Sequence, residues 1–132
     1  MLLKNLIKKP PKSIEKLKVR GLAINSKDVK KGAIFFAIKG SKFNGEDYIN
    51  QAIKKGAILV ICSTKCKIQN SKVFIIKTKK IRSYLSEIVS KFYKLKPKNI
   101  IAVTGTNGKT SVADLYYQIL KLNKKEVAYQ CE

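Results

Sequence analysis

A chain of 132 residues has room for one ordinary domain, or for one small domain and part of another. With 45% hydrophobic and 8% aromatic residues it can build a core, which excludes wholesale disorder. Its 29 Lys and Arg against 8 Asp and Glu leave a net charge of +21, a balance that ordinarily points to nucleic acid or anionic membranes. The distribution argues against both: Arg20 and Arg82 are the only arginines, and the lysines are scattered along the whole chain. Base reading and bidentate phosphate clamping favour the planar arginine fork. No specific nucleic-acid partner is therefore expected.

In chain order, Leu2–Lys8 has the spacing of a short amphipathic helix, stopped by Pro10 and Pro11. Its apolar run is too short for a secretory signal, and no stretch approaches the roughly 20 apolar residues that cross a bilayer. A soluble, cytoplasmic, monomeric chain with no membrane insertion is the expectation. Short strands follow at 19–24 (VRGLAI) and 33–38 (AIFFAI). The loop Lys39–Gly45 (KGSKFNG) carries two glycines and no helical period. Asp47–Lys55 reads as a helix with Tyr48, Ile49, Ala52 and Ile53 on one face and Gly56 as its stop.

AILVIC (57–62) and VFIIK (73–77) read as strands, and Ile81–Tyr93 as a helix. Cys62, Cys66 and Cys131, without any histidine, exclude a Cys/His zinc site and leave a four-thiolate site incomplete. They read as reduced thiols, Cys62 inside a strand. These elements make an α/β domain over residues 1–93, and KLKPK (94–98) reads as a linker. A second unit spans 99–132. NIIAV (99–103) is an apolar run of the kind found in parallel strands, Thr110–Leu122 has helical period, and Glu126–Tyr129 starts another strand. A strand, a loop, a helix and half a strand cannot close a parallel sheet, so this unit reads as truncated.

The sharpest chemistry lies in Val103-Thr104-Gly105-Thr106-Asn107-Gly108-Lys109-Thr110-Ser111. A triphosphate needs dense N–H donors with no bulky side chains in the way. Gly105 and Gly108 permit the tight turn, and the helix starting near Lys109 adds its unpaired N–H groups. Lys109 can reach the β- and γ-phosphates, and the Thr110 hydroxyl can ligate Mg²⁺. The first glycine of the usual G-x-x-x-x-G-K-[ST] pattern is replaced by Val103, but an apolar run before and a periodic helix after supply the expected setting. ATP or GTP binding at Gly105–Ser111 follows.

The loop T-G-T-N-G-K-T-S resembles that of the Mur ligases. Ile24-Asn25-Ser26-Lys27-Asp28-Val29, Gly32, Ile34-Phe35-Phe36-Ala37-Ile38 and Gly40 are similar to the family's "DSR-x-V-x-x-G-x-[LI]-F-x-A-x-x-G" segment. Asn44-Gly45-Glu46-Asp47-Tyr48-Ile49, Ala52, Gly56 and Ala57 stand where that family has D-G-H-D-[FY]-I-x-x-A-x-x-x-G-A. The resemblance runs from about Val19 to Ala128. Lys91-Phe92-Tyr93 with Pro97 looks like the branch that adds a diamino acid, the tripeptide synthetases. The D-Ala-D-Ala-adding branch remains the alternative, since it shares the F-x-A-x-x-G pattern. A non-catalytic module binding a UDP-sugar or nucleic acid is an alternative of another class.

What the resemblance implies is a small UDP-substrate-binding α/β domain followed by the first β-loop-α unit of an ATP-binding domain. The ligase would join meso-diaminopimelate or lysine to UDP-N-acetylmuramoyl-L-alanyl-D-glutamate through an acyl phosphate, with ATP and Mg²⁺, in peptidoglycan synthesis. By motif position, Ile24, Ser26, Ser41, Lys42 and Phe43 would hold the UDP part, and Lys109 is the one residue present with a catalytic role. Asn25, Lys27 and Glu46 depart from the family's Asp, Arg and His. Tyr129-Gln130-Cys131-Glu132 does not resemble the family's continuation. The remaining machinery is absent, so these 132 residues alone are expected to be inactive.

Overall fold

A computed structural model describes residues 1–68 and 73–130. It divides into two compact units, Met1–Leu95 and Lys96–Glu132.

The first unit is built on a four-stranded, all-parallel sheet: β1 (Gly21–Ala23), β2 (Ala33–Phe36), β3 (Ala57–Cys62) and β4 (Phe74–Lys77). Spatial order follows chain order, β1-β2-β3-β4. The unbroken apolar runs of β2 and β3 suit strands covered on both faces. Side chains alternate across the sheet, so Ala33 and Phe35 enter one core while Ile34 and Phe36 enter the other, all four buried. Ala33 pairs with Ala57 but Ile34 with Leu59, leaving Ile58 as an extra residue. This bulge puts Ile58 and Leu59 into the same core.

One face is covered by α1 (Ile49–Lys54), through Ile49, Ala52 and Ile53. A 3-10 turn, Gly45–Tyr48, leads into it, so the helix expected over 47–55 begins as the tighter form. The other face is covered by α2 (Ile81–Phe92), whose Ile81, Tyr84, Leu85, Ile88 and Phe92 follow a helical stripe. Beside α2 lies the N-terminal segment, with Leu3, Leu6, Ile14 and Val19 buried. The amphipathic helix expected over Leu2–Lys8 is instead one 3-10 turn, Leu3–Asn5. Its backbone bonds go elsewhere: Leu3 N–H donates to Leu17 O at 2.9 Å and Lys4 N–H to Glu15 O at 3.0 Å. The strand expected over 19–24 contracts to β1.

In the second unit α3 spans Lys109–Leu122. The strands expected at 99–103 and 126–129 are absent, and no described residue beyond β4 is in a strand. A strand needs a neighbour for its N–H and C=O groups, whereas a helix satisfies its own. Ile100 is accordingly 80% exposed. Val112, Leu115, Ile119 and Leu122 also face solvent on α3. Tyr117 and Tyr129 lie with ring centroids 5.4 Å apart, which lays the following segment back along the helix. Cys131 lies outside the described residues.

Candidate functional site

Because the sheet is all-parallel, the loops after its strands emerge at one edge, where α/β sheets place ligands. Ile24–Ser26 follow β1 and Ser41–Phe43 follow its sheet neighbour β2. The two predicted segments are therefore brought to the same edge. Ile24 is 61% and Phe43 68% exposed, and Ser41 and Lys42 are exposed as well. Ser26 differs: it is buried, and its hydroxyl donates to Gln51 Oε1 at 2.6 Å.

The Ser41–Phe43 loop has a defined shape. Gly40 N–H donates to Phe43 O at 2.9 Å, Lys39 and Asn44 form an antiparallel bridge, and Gly45 N–H donates to Ile38 O at 3.0 Å. Gly45 is required by close approach, since a Cβ there would sit 2.6 Å from Ile38 O. Asn44 Oδ1 accepts from Glu46 N–H and caps the 3-10 turn. Asn25, where the resembled pattern has Asp, does the same for the turn Ser26–Asp28 by accepting from Lys27 N–H at 2.9 Å. Either residue type caps, so that departure leaves the local geometry intact. Lys27 contributes its carbonyl, which accepts from Lys55 Nζ at 2.8 Å.

Sequence reasoning passed over Gln51 and treated Glu46 only as a departure. Glu46 Oε1 accepts from Ser63 N–H, just past β3, at 3.1 Å. Behind Ser63, Cys62 and Cys66 are free and buried. Burial, then the hydrogen bond that the Cys62 thiol gives to Cys66, pushes the Cys62 thiol up to about 12. These thiols are packing groups.

In the second unit, Gly105 (φ +156°) and Gly108 (φ +74°) shape the predicted phosphate loop. Gly108 is the N-cap of α3 in the left-handed region, so Lys109–Ser111 form the helix's first turn, where N–H groups lack intrahelical acceptors. A Cβ at Gly108 would meet nothing within 4 Å, so glycine is there for its backbone conformation. Lys109 Nζ turns back onto the loop, donating to Gly105 O at 2.6 Å and approaching Thr106 O at 3.4 Å. Thr106, Asn107, Thr110 and Ser111 are exposed beside it. The arrangement offers the first-turn N–H groups of a helix, the Lys109 cation folded onto the loop and the exposed Thr110 and Ser111.

The sequence profile of "Mur ligase family, catalytic domain" matches residues 18–93, which takes in the whole sheet with α1 and α2 and stops before the glycine-rich loop. The UDP-N-acetylmuramoyl-L-alanyl-D-glutamate–2,6-diaminopimelate ligase of Rickettsia prowazekii (strain Madrid E) is 44% identical over 112 residues, 85% of this chain and 23% of the relative. The chain thus spans about a quarter of the length of the curated relatives it matches. Among solved structures, a MurF ligase from Thermotoga maritima in complex with ADP is 29% identical and superposes with a TM-score of 0.60, over 79% of this chain and 24% of that one. A UDP-N-acetylmuramoyl-L-alanyl-D-glutamate–2,6-diaminopimelate ligase structure covers 94% of this chain and 26% of its own, with a TM-score of 0.67 and 22% identity. The last shares the fold.

Proposed function

Because this chain belongs to the Mur ligase family, we propose that it is the UDP-substrate- and ATP-binding portion of a ligase that adds 2,6-diaminopimelate to UDP-N-acetylmuramoyl-L-alanyl-D-glutamate. The observation that carries the reading is one alignment at 44% identity that takes up 85% of the chain, more than the first unit alone holds. The rival D-Ala-D-Ala-adding assignment has the weaker support, a 29% identical structure.

Ile24, Ser26, Ser41, Lys42 and Phe43 hold the UDP moiety at the strand-end edge. Ser41 and Ser26 supply hydroxyl groups, Lys42 supplies charge for the diphosphate, and the exposed Phe43 ring offers an apolar face. Gly105–Ser111 hold the triphosphate, and the loop fits one: two glycines with positive φ lead into the donor-rich first turn of a 14-residue helix. Lys109 exchanges its loop carbonyls for phosphate oxygens, and the Thr110 hydroxyl is the ligand for Mg²⁺. When bound, magnesium-ATP supplies the phosphoryl group that turns an unreactive carboxylate into an acyl donor for the amine. The chain by itself is inactive, because a bound nucleotide and a bound acceptor do not suffice without the groups that align them.

Calorimetric titration with UDP-N-acetylmuramoyl-L-alanyl-D-glutamate and with Mg-ATP, at two salt concentrations, tests this. Both ligands bind the unchanged chain, and Lys109→Ala loses ATP alone. Steeply salt-dependent RNA binding, with neither of these ligands bound, would show the charge to be the functional feature instead.

A further inference from the structure

β2 lies between β1 and β3, and the segment that leaves its loop makes polar contacts to both neighbours. Asn44 and Gly45, which close the Ser41–Phe43 loop, open the 3-10 turn Gly45–Tyr48 that leads into α1. From that root Glu46 reaches to Ser63 N–H at the end of β3, and Gln51 reaches to Ser26 Oγ after β1. Neither side chain belongs to the core on this face of the sheet, which Ile49, Ala52 and Ile53 of the same segment cover. Both contacts are long in sequence, 17 and 25 residues apart, and each satisfies a group on a different strand-end loop.

We propose that Glu46 and Gln51 are positioning residues for the UDP-binding edge, clipping the loops after β1, β2 and β3 into one arrangement. The proposal rests on the assignment of that edge to the UDP moiety. Gln51 Oε1 accepts from the Ser26 hydroxyl, which fixes the loop after β1 against α1. Glu46 fixes where the Ser41–Phe43 loop stands relative to the end of β3. Neither residue touches the ligand. Of the two, Glu46 occupies the place where the resembled pattern has His, so the clip here is a carboxylate on a backbone N–H.

The test measures UDP affinity of the 132-residue chain by calorimetry, beside thermal melting of each variant, at a temperature where all are folded. Glu46→Gln and Glu46→Met are both neutral and of similar size, so their difference isolates the acceptor oxygen from the lost charge. Glu46→Gln keeps UDP affinity within about twofold, while Glu46→Met and Gln51→Met weaken it about tenfold, the size of one lost hydrogen bond in a preorganised site. Gln51 is exposed, so its variant folds even if Glu46→Met does not. UDP affinity in both Met variants equal to that of the unchanged chain overturns the clip, as does a tenfold loss in Glu46→Gln. Failure of the unchanged chain to bind UDP is seen before any variant is compared, and removes the UDP assignment itself.

Discussion

Cys62 and Cys66 stand four positions apart at the end of β3, 0% and 3% exposed. The thiolate is the reactive species, and burial moves the Cys62 pKa from an ordinary 9.0 to about 12. Iodoacetamide at pH 8 therefore leaves Cys62 unlabelled in a folded Cys131→Ser chain, and burial alone shields Cys66; both label in urea, and mass spectrometry of the native reaction checks this. The raised value also gives a sign. The fold favours the neutral thiol, so the stability it contributes is full below 9.0 and is lost as pH climbs toward 12. Urea titrations should show a shallower decline over that range for Cys62→Ala than for the unchanged chain. Sequence exposed some of the residue-level chemistry and hid the rest for a physical reason. Lys109 lies within four positions of both glycines of its loop, so its place against that loop can be read from spacing. Glu46 and Gln51 act on partners 17 and 25 residues away, and only the strand pairing brings those together.

Among the elements, β3 and α2 were legible because their apolar patterns are long and each has a partner to bury against. The run at 99–103 is also mostly apolar but has no strand beside it, so it forms none. Periodicity reports a preference for burial; whether a ladder forms depends on the neighbour. Hydrogen exchange should separate the two cases, with slow amides in β2 and β3 and fast exchange over 99–108. Protection at 99–103 equal to that of β3 would contradict this description. The turn after α1 offers a second check. Gly56 has φ +97°, and an added Cβ would come 2.9 Å from Lys31 Cα. Gly56→Ala combines left-handed strain with a backbone clash and should cost about 2 kcal/mol in urea unfolding.

At the scale of the molecule, 8 acids cannot neutralise 29 cations, so most lysines repel one another whatever their local setting. Glu87, which meets both Lys8 and Lys91, shows how thinly the negative charge is spread. Added salt should therefore raise the melting temperature, by roughly 5 °C between 0.05 and 0.5 M NaCl, because screening relieves the repulsion more than it weakens such exposed pairs. A fall measured by calorimetry would mean that attractive pairs dominate. The sheet has a further property. Its spatial order is its chain order, so each strand after β1 meets, on leaving a ribosome, a neighbour already synthesised. The apolar side covered by α2 is the exception. Leu59 and Ile61 on that side, with Leu3 and Leu6, stay open until Ile81–Phe92 has left the exit tunnel, making that interval the one in which a nascent chain most needs a chaperone.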